Sequence, residues 1–95
     1  MEKTTAWDPA EYLDSPEKMA QYLEAALEEN DSALVAAALG DIARAKGMTD
    51  IANQSGLGRE SLYKALSGDG NPSLSTVLRV VAALGLQFRA VPAPQ

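Results

Sequence analysis

The side chains best placed for chemistry in this chain of 95 residues lie between Arg59 and Ser67. Arg59, Glu60, Ser61, Tyr63 and Lys64 stand on or near the outer face of a short helical pattern, and its inward set is Leu62, Ala65 and Leu66. An arginine fork matches the O6 and N7 atoms of guanine, a contact worth about 1–3 kcal/mol of discrimination, which makes Arg59 the leading base-reading residue. Lys64 reaches a phosphate or a guanine edge, Ser61 either kind of target, and Tyr63 a phosphate or a thymine methyl. Glu60 and Lys64 are spaced i, i+4 in the favourable order, so a surface ion pair explains Glu60 as well as a base contact does. Asn71 and Ser73 precede another helical pattern, where free backbone N–H groups help to hold a phosphate. Ordinary loop closure and capping explain those two residues equally well.

Other chemistry is excluded by composition. The chain has no Cys and no His, which removes disulfides, thiol nucleophiles, Cys/His zinc sites and histidine acid–base catalysis. No Gly-rich phosphate loop follows a strand pattern, and no carboxylate pair sits in a setting that raises a pKa. The expectation is a protein that is not an enzyme and carries neither cofactor nor metal. No stretch is long and apolar enough for a membrane span, and no basic start leads into an apolar run, so a cytoplasmic protein is expected.

The element that must position these residues is the stretch Met48 to Ser67, two short helices joined by a tight turn. Ile51 and Ala52 form the buried side of the first helix, with Thr49 as its expected N-cap. Gly56 and Leu57 make the turn, where glycine reaches positive φ without a Cβ clash. This is the pattern of a DNA-binding helix-turn-helix, although a helical hairpin in an ordinary bundle shares part of it.

The remaining elements surround that hairpin. Residues 1–14 carry no sustained period, and Pro9 interrupts any helix that begins there; Trp7, Tyr12 and Leu13 must pack either on the domain itself or on a partner. Ser15-Pro16 starts a helix with Met19, Tyr22, Leu23, Ala26 and Leu27 on one stripe. Asn30-Asp31 separates it from an alanine-rich helix running to Lys46, with Arg44 and Lys46 complementing the dipole of its last turn. Gly40 permits a close crossing, and Gly47 closes the helix. After the loop Gly68-Asp69-Gly70-Asn71-Pro72, Ser73 caps a last helix whose Leu74, Val77, Leu78, Val81 and Leu84 form a core stripe. Gly85 stops that helix, and the alternation over residues 86–91 predicts a short strand before Pro92. A lone strand has no partner in its own chain, which suggests pairing with a second copy or a partner protein, or else an unpaired extended tail.

Charge divides the chain. Residues 1–40 hold two cations against nine acids, a balance of −7, while residues 41–95 hold six cations against four acids, a balance of +2. Phosphate attraction needs a local basic face and not a basic total, so the net charge of −5 does not argue against DNA. Acidic residues that merely solvate exposed helix faces are the plainer account of each one taken singly.

The run GDIARAKGMTDIANQSGLGRESLYKALSGDGNPSLSTVLRVVAALGL, with WDPAEYLDSPEKMAQYLEAALEEND before it, resembles the addiction-module antidote proteins, a HigA-like antitoxin family with a Cro/C1-type helix-turn-helix. RESLYKAL, GNPS and AALGL carry the resemblance, in that order after W…YL. It implies an all-α architecture: a five-helix Cro/C1 (lambda repressor-like) domain over residues 31–91, an acidic N-terminal arm and helix over 1–30, a short C-terminal strand, and a tail over 92–95. It further implies a small antitoxin that neutralises a RelE/ParE-type toxin and represses its operon as a homodimer on operator DNA.

Arg59, Glu60, Ser61, Tyr63 and Lys64 then fall on the recognition helix. Gly58 replaces a usual serine, and Asp50 stands near a position where such folds often present glutamine, so Thr49 is the safer phosphate contact. RNA-cleaving toxins need cationic surfaces, which makes the acidic first half, with Trp7, Tyr12 and Leu13 as apolar anchors, the expected toxin-binding region. The alternatives are a free-standing Cro/C1-type repressor without a toxin, and a protein-binding helical adaptor whose hairpin is structural.

Overall fold

Capping side chains mark where the chain becomes helical in the computed structural model, which describes residues 8–94. Among these residues there are six helices and no strand: α1 (Pro9–Tyr12), α2 (Pro16–Glu28), α3 (Ser32–Lys46), α4 (Met48–Ser55), α5 (Arg59–Ala65) and α6 (Leu74–Ala83). Ser15 accepts from the Lys18 N–H, Asp31 from those of Ala33 and Leu34, and Ser73 from that of Thr76. Each satisfies backbone donors that have no partner inside the helix.

Pro9 does the opposite of what the sequence suggests. It occupies the first helical position of α1 behind an Asp8 cap, where its missing N–H costs nothing and its fixed φ favours the helix. Thr49 likewise is not the cap of α4. That place belongs to Gly47, whose φ of 109° lets one residue end α3 and begin α4, and Thr49 is exposed in the first turn.

The core lies where α3, α4, α5 and α6 meet. Leu39 and Ile42 of α3, Ile51 of α4, Leu62 of α5 and Val80 of α6 are at most 1% exposed. α2 covers α3 with Met19, Leu23 and Ala26, and Leu13 fills the same core cluster from the segment after α1. Gly40 is the close-crossing point: a Cβ there would stand 2.6 Å from the Leu66 carbonyl oxygen, so the end of α5 rests directly on the α3 backbone.

The expected stripe of α6 is rotated. Val80, Val81 and Leu84 are buried and Val77 half-buried, but Leu74 is 70% and Leu78 48% exposed. α6 packs against α4 with its Val80–Val81–Leu84 side in the common core, and Leu74 and Leu78 lie on a side that stays exposed. Residues 86–94 also differ from expectation, running without regular secondary structure. No second strand lies beside them among the described residues, so the backbone ladder that defines a strand has nothing to form on.

Candidate nucleic-acid interface

The hairpin of α4 and α5 is held by its turn. Gly56 has φ 77° and ψ 10°, the left-handed conformation that the sequence predicts. The buried Ser55 hydroxyl donates to the Ala52 carbonyl at 3.2 Å and accepts from the Leu57 N–H at 3.3 Å. This lock was not legible beforehand, because a serine near a helix end reads equally well as solvent-facing. With Leu62 at 0% exposure and Leu66 at 4%, α5 is anchored along its inner side.

That anchoring turns Arg59, Glu60, Ser61, Tyr63 and Lys64 outward, all of them exposed. The Glu60–Lys64 ion pair is absent. Arg59 instead lies over the Tyr63 ring, 5.6 Å from its centroid, a contact that orients the guanidinium without neutralising it. Ser61, Lys64 and Asn71 line a common cleft of about 460 Å³ with the loop that follows α5. Gly70 makes this possible, since a Cβ there would come within 2.2 Å of the Ala65 carbonyl oxygen. Tyr63 faces a second cleft, of about 260 Å³, shared with Asp41 and Arg44. Ser73 stands at the far end of the loop, where its hydroxyl caps α6 and also donates to the Thr76 hydroxyl, both at 3.1 Å. The plain capping account of Ser73 is therefore realised.

Cations of the second half separate into two groups. Arg44 is bound at both ends, to Asp41 one turn away and to Asp8 at 3.4 Å, and the Asp41 hydrogen bond raises its pKa above the usual arginine value. Lys46 reaches the Leu84 carbonyl at 3.5 Å, at the end of α6. Arg59, Lys64, Arg79 and Arg89 form no ion pair among the described residues. Arg79 is a residue that the sequence did not single out: its guanidinium lies beside the hairpin turn, 3.6 Å from where a Cβ on Gly56 would be. Its exposed position on α6, off the buried side, was the available signal.

Of the apolar N-terminal residues, Trp7 lies outside the described residues. Leu13 is 2% exposed and belongs to the domain's own core, leaving Tyr12, 44% exposed, at the surface. Lys18 sits over the Tyr12 ring at 5.1 Å and pairs with Asp14 at 3.0 Å, which holds the Asp14 carboxyl below its ordinary range. Behind them the Tyr22 hydroxyl donates to Asp41 at 2.6 Å; burial, and then this bond to a carboxylate, push the phenol up to about 12. Asp8, Arg44, Asp41 and Tyr22 thus tie the start of α1 to α3 and α2. Among the described residues no group of acidic side chains is arranged to hold a metal ion, and no helix is long and apolar enough to cross a membrane.

Fold and site together define an all-helical protein that presents a short helical hairpin with unneutralised cations on its outer face. Residues 3–92 match the family model of the probable addiction module antidote proteins, and the chain belongs to that family. An uncharacterised protein of Haemophilus influenzae is 50% identical to it over 88 residues, covering 93% of this chain and 91% of the relative. No solved structure matches the chain. Membership in an antidote family implies a toxin partner in general and a role in countering it.

Proposed function

We propose that the chain is the antitoxin of a toxin–antitoxin module, neutralising a RelE/ParE-type toxin by direct binding and repressing its own operon as a DNA-binding homodimer. The observation that carries the DNA half is the α5 face: Arg59 and Lys64 project outward, without an ion pair among the described residues, from a helix whose opposite side is locked in the core. Arg59 reads guanine, Glu60 and Ser61 meet neighbouring base edges, and Tyr63 contacts a phosphate or a thymine methyl. Lys64 and Asn71, from their shared cleft, contact the backbone, with Thr49 and Ser73 at the starts of the flanking helices.

The dimer is supported by α6. Leu74 and Leu78, one turn apart, are apolar and exposed, and no acidic residue follows Asp69, so two copies of an acidic chain meet there with least repulsion. The toxin half draws on the family and on the acidic N-terminal region, where Tyr12 offers an exposed ring while Leu13 serves the core.

Titration of the chain onto its own promoter DNA tests the first half. Binding is expected at two half-sites roughly 34 Å apart, with a log–log salt slope of about −0.9 per phosphate neutralised. Co-expression with the adjacent small reading frame tests the second: growth arrest by the neighbour alone, relieved by this chain and accompanied by co-purification, is expected. DNA binding with a harmless neighbour would mark a free-standing repressor, and the absence of DNA binding would leave only an adaptor.

A further inference from the structure

The side of the molecule away from the hairpin carries a groove between α2 and the segment after α6. Gly85, at φ 78°, turns the chain out of α6, and the Leu86 N–H returns to the Val81 carbonyl at 3.1 Å. Residues 85–89 consequently run beside α2 and leave a channel of about 380 Å³, with Leu23, Leu27, Leu86 and Phe88 as its apolar lining. Leu27 is 39% and Phe88 37% exposed, so the channel is open to a partner. Along the α2 wall, Glu17, Glu24 and Glu28 recur at i, i+7 and i+11, which places them in one row on the helix. All three are exposed and engage no cation among the described residues, whereas Asp14 and Asp41 nearby are already paired. The opposite wall carries Arg89 alone.

An apolar channel with Glu24 in one wall, in a helical row with the exposed Glu17 and Glu28 beyond it, and Arg89 in the other wall selects its occupant by charge. DNA is repelled by the carboxylate row, and a second copy would bring its own acidic N-terminal half against it. We infer that this α2–tail groove is the seat of the toxin, taking an apolar segment flanked by Lys or Arg side chains; the inference rests on the antitoxin reading and moves the main toxin contact from the N-terminal arm to α2 and residues 86–89. Apolar side chains of the segment fill the space between Leu27 and Phe88, and its cations lie along the glutamate row. The same contact clamps the tail after α6 against α2.

The test uses the full chain and the purified product of the reading frame beside its gene, with affinity measured by calorimetry at low and high salt. The double variant Leu27→Ser/Phe88→Ser is expected to weaken binding at least about tenfold, the loss typical of a central apolar anchor pair. The triple variant Glu17→Gln/Glu24→Gln/Glu28→Gln replaces only exposed carboxylates, keeps the fold, and is expected to weaken binding strongly at low salt and little at high salt. Helical circular dichroism and promoter-DNA affinity are expected to stay at wild-type values for both variants. If the wild-type chain binds the neighbour but both variants bind it equally well, the groove assignment fails alone and the antitoxin reading stands. If the wild-type chain does not bind the neighbour, the antitoxin reading fails and the groove assignment with it. A change in sedimentation with unchanged toxin affinity would assign the groove to a second copy and overturn the inference.

Discussion

The outer face of α5 and the groove beside α2 are both built from exposed charge over an anchored helix, yet they have opposite sign and different depth. On α5 two cations, Arg59 and Lys64, and the single acid Glu60 are exposed without ion pairs among the described residues, and Leu62 and Leu66 on its inner side are buried. Beside α2 the groove is lined by Glu24 and, across it, Arg89, and two large apolar side chains, Leu27 and Phe88, remain partly open. A polyanion read through phosphates and base edges suits the first surface; a basic protein segment that buries apolar area suits the second. The contrast teaches that the overall charge of −5 describes neither face. Folding pairs Arg44 with Asp41 and Asp8, and leaves the cations of α5 without an ion pair among the described residues.

The contrast is broken most severely from the shared core. Leu62→Ala removes a fully buried side chain and is expected to cost about 2–5 kcal/mol, a large part of the stability of a domain this size, so that both surfaces are lost together. Urea unfolding measures it, and a loss below about 1 kcal/mol would show that α5 is not anchored as described. Arg59→Ala separates the faces: promoter discrimination is expected to fall by about 1–3 kcal/mol while affinity for the neighbouring gene product is unchanged, as read by competition against single-base operator variants. Equal weakening on every sequence would assign Arg59 to phosphate instead. Lys64→Ala sharpens that distinction, since loss of one phosphate contact is expected to weaken all sequences alike and to reduce the salt slope by about 0.9.

The smallest effect lies between the faces, at Tyr22. Tyr22→Phe removes one hydrogen bond to Asp41 and is expected to cost about 1 kcal/mol at neutral pH. The phenol pKa rises from 10.0 to about 12 on folding, so the folded chain keeps a proton that the unfolded chain releases. The associated stabilisation is complete below pH 10 and is lost as pH rises through 12. The wild type is therefore expected to lose stability relative to the variant across that window, as alkaline unfolding curves would reveal; parallel curves would contradict the Tyr22–Asp41 linkage.

Much of the local structure was legible because short-range rules act within a few residues. Ser73 caps the helix it was read to cap, helices start behind Ser15 and Asp31 where Ser15-Pro16 and Asn30-Asp31 mark the boundaries, and Gly56 takes the left-handed turn. Pro9 was misread because a proline interrupts a helix only when residues before it are already helical, and here Asp8 is the cap. Leu74 and Leu78 were misread for a longer-range reason. Helical periodicity shows that a stripe is apolar but not which part of it meets a neighbour, and the Val80–Val81–Leu84 side of α6 is buried while Leu74 and Leu78 are not.

The same division holds for the whole protein. Composition and spacing determined the main helices, the lack of histidine or cysteine chemistry, a hairpin at residues 48–67, and which side chains of α5 face away from its own apolar row, since each follows from residue type and a 3.6-residue repeat, whereas the strand that alternation suggested over residues 86–91 is not formed. Tertiary structure decided which charges remain free, that Leu13 belongs to the core while Tyr12 stays at the surface, and that α2 and the last residues enclose a groove. Those outcomes depend on distances between segments far apart in the chain, as with Asp8 and Arg44 or Leu27 and Phe88, and they are fixed only when the helices pack.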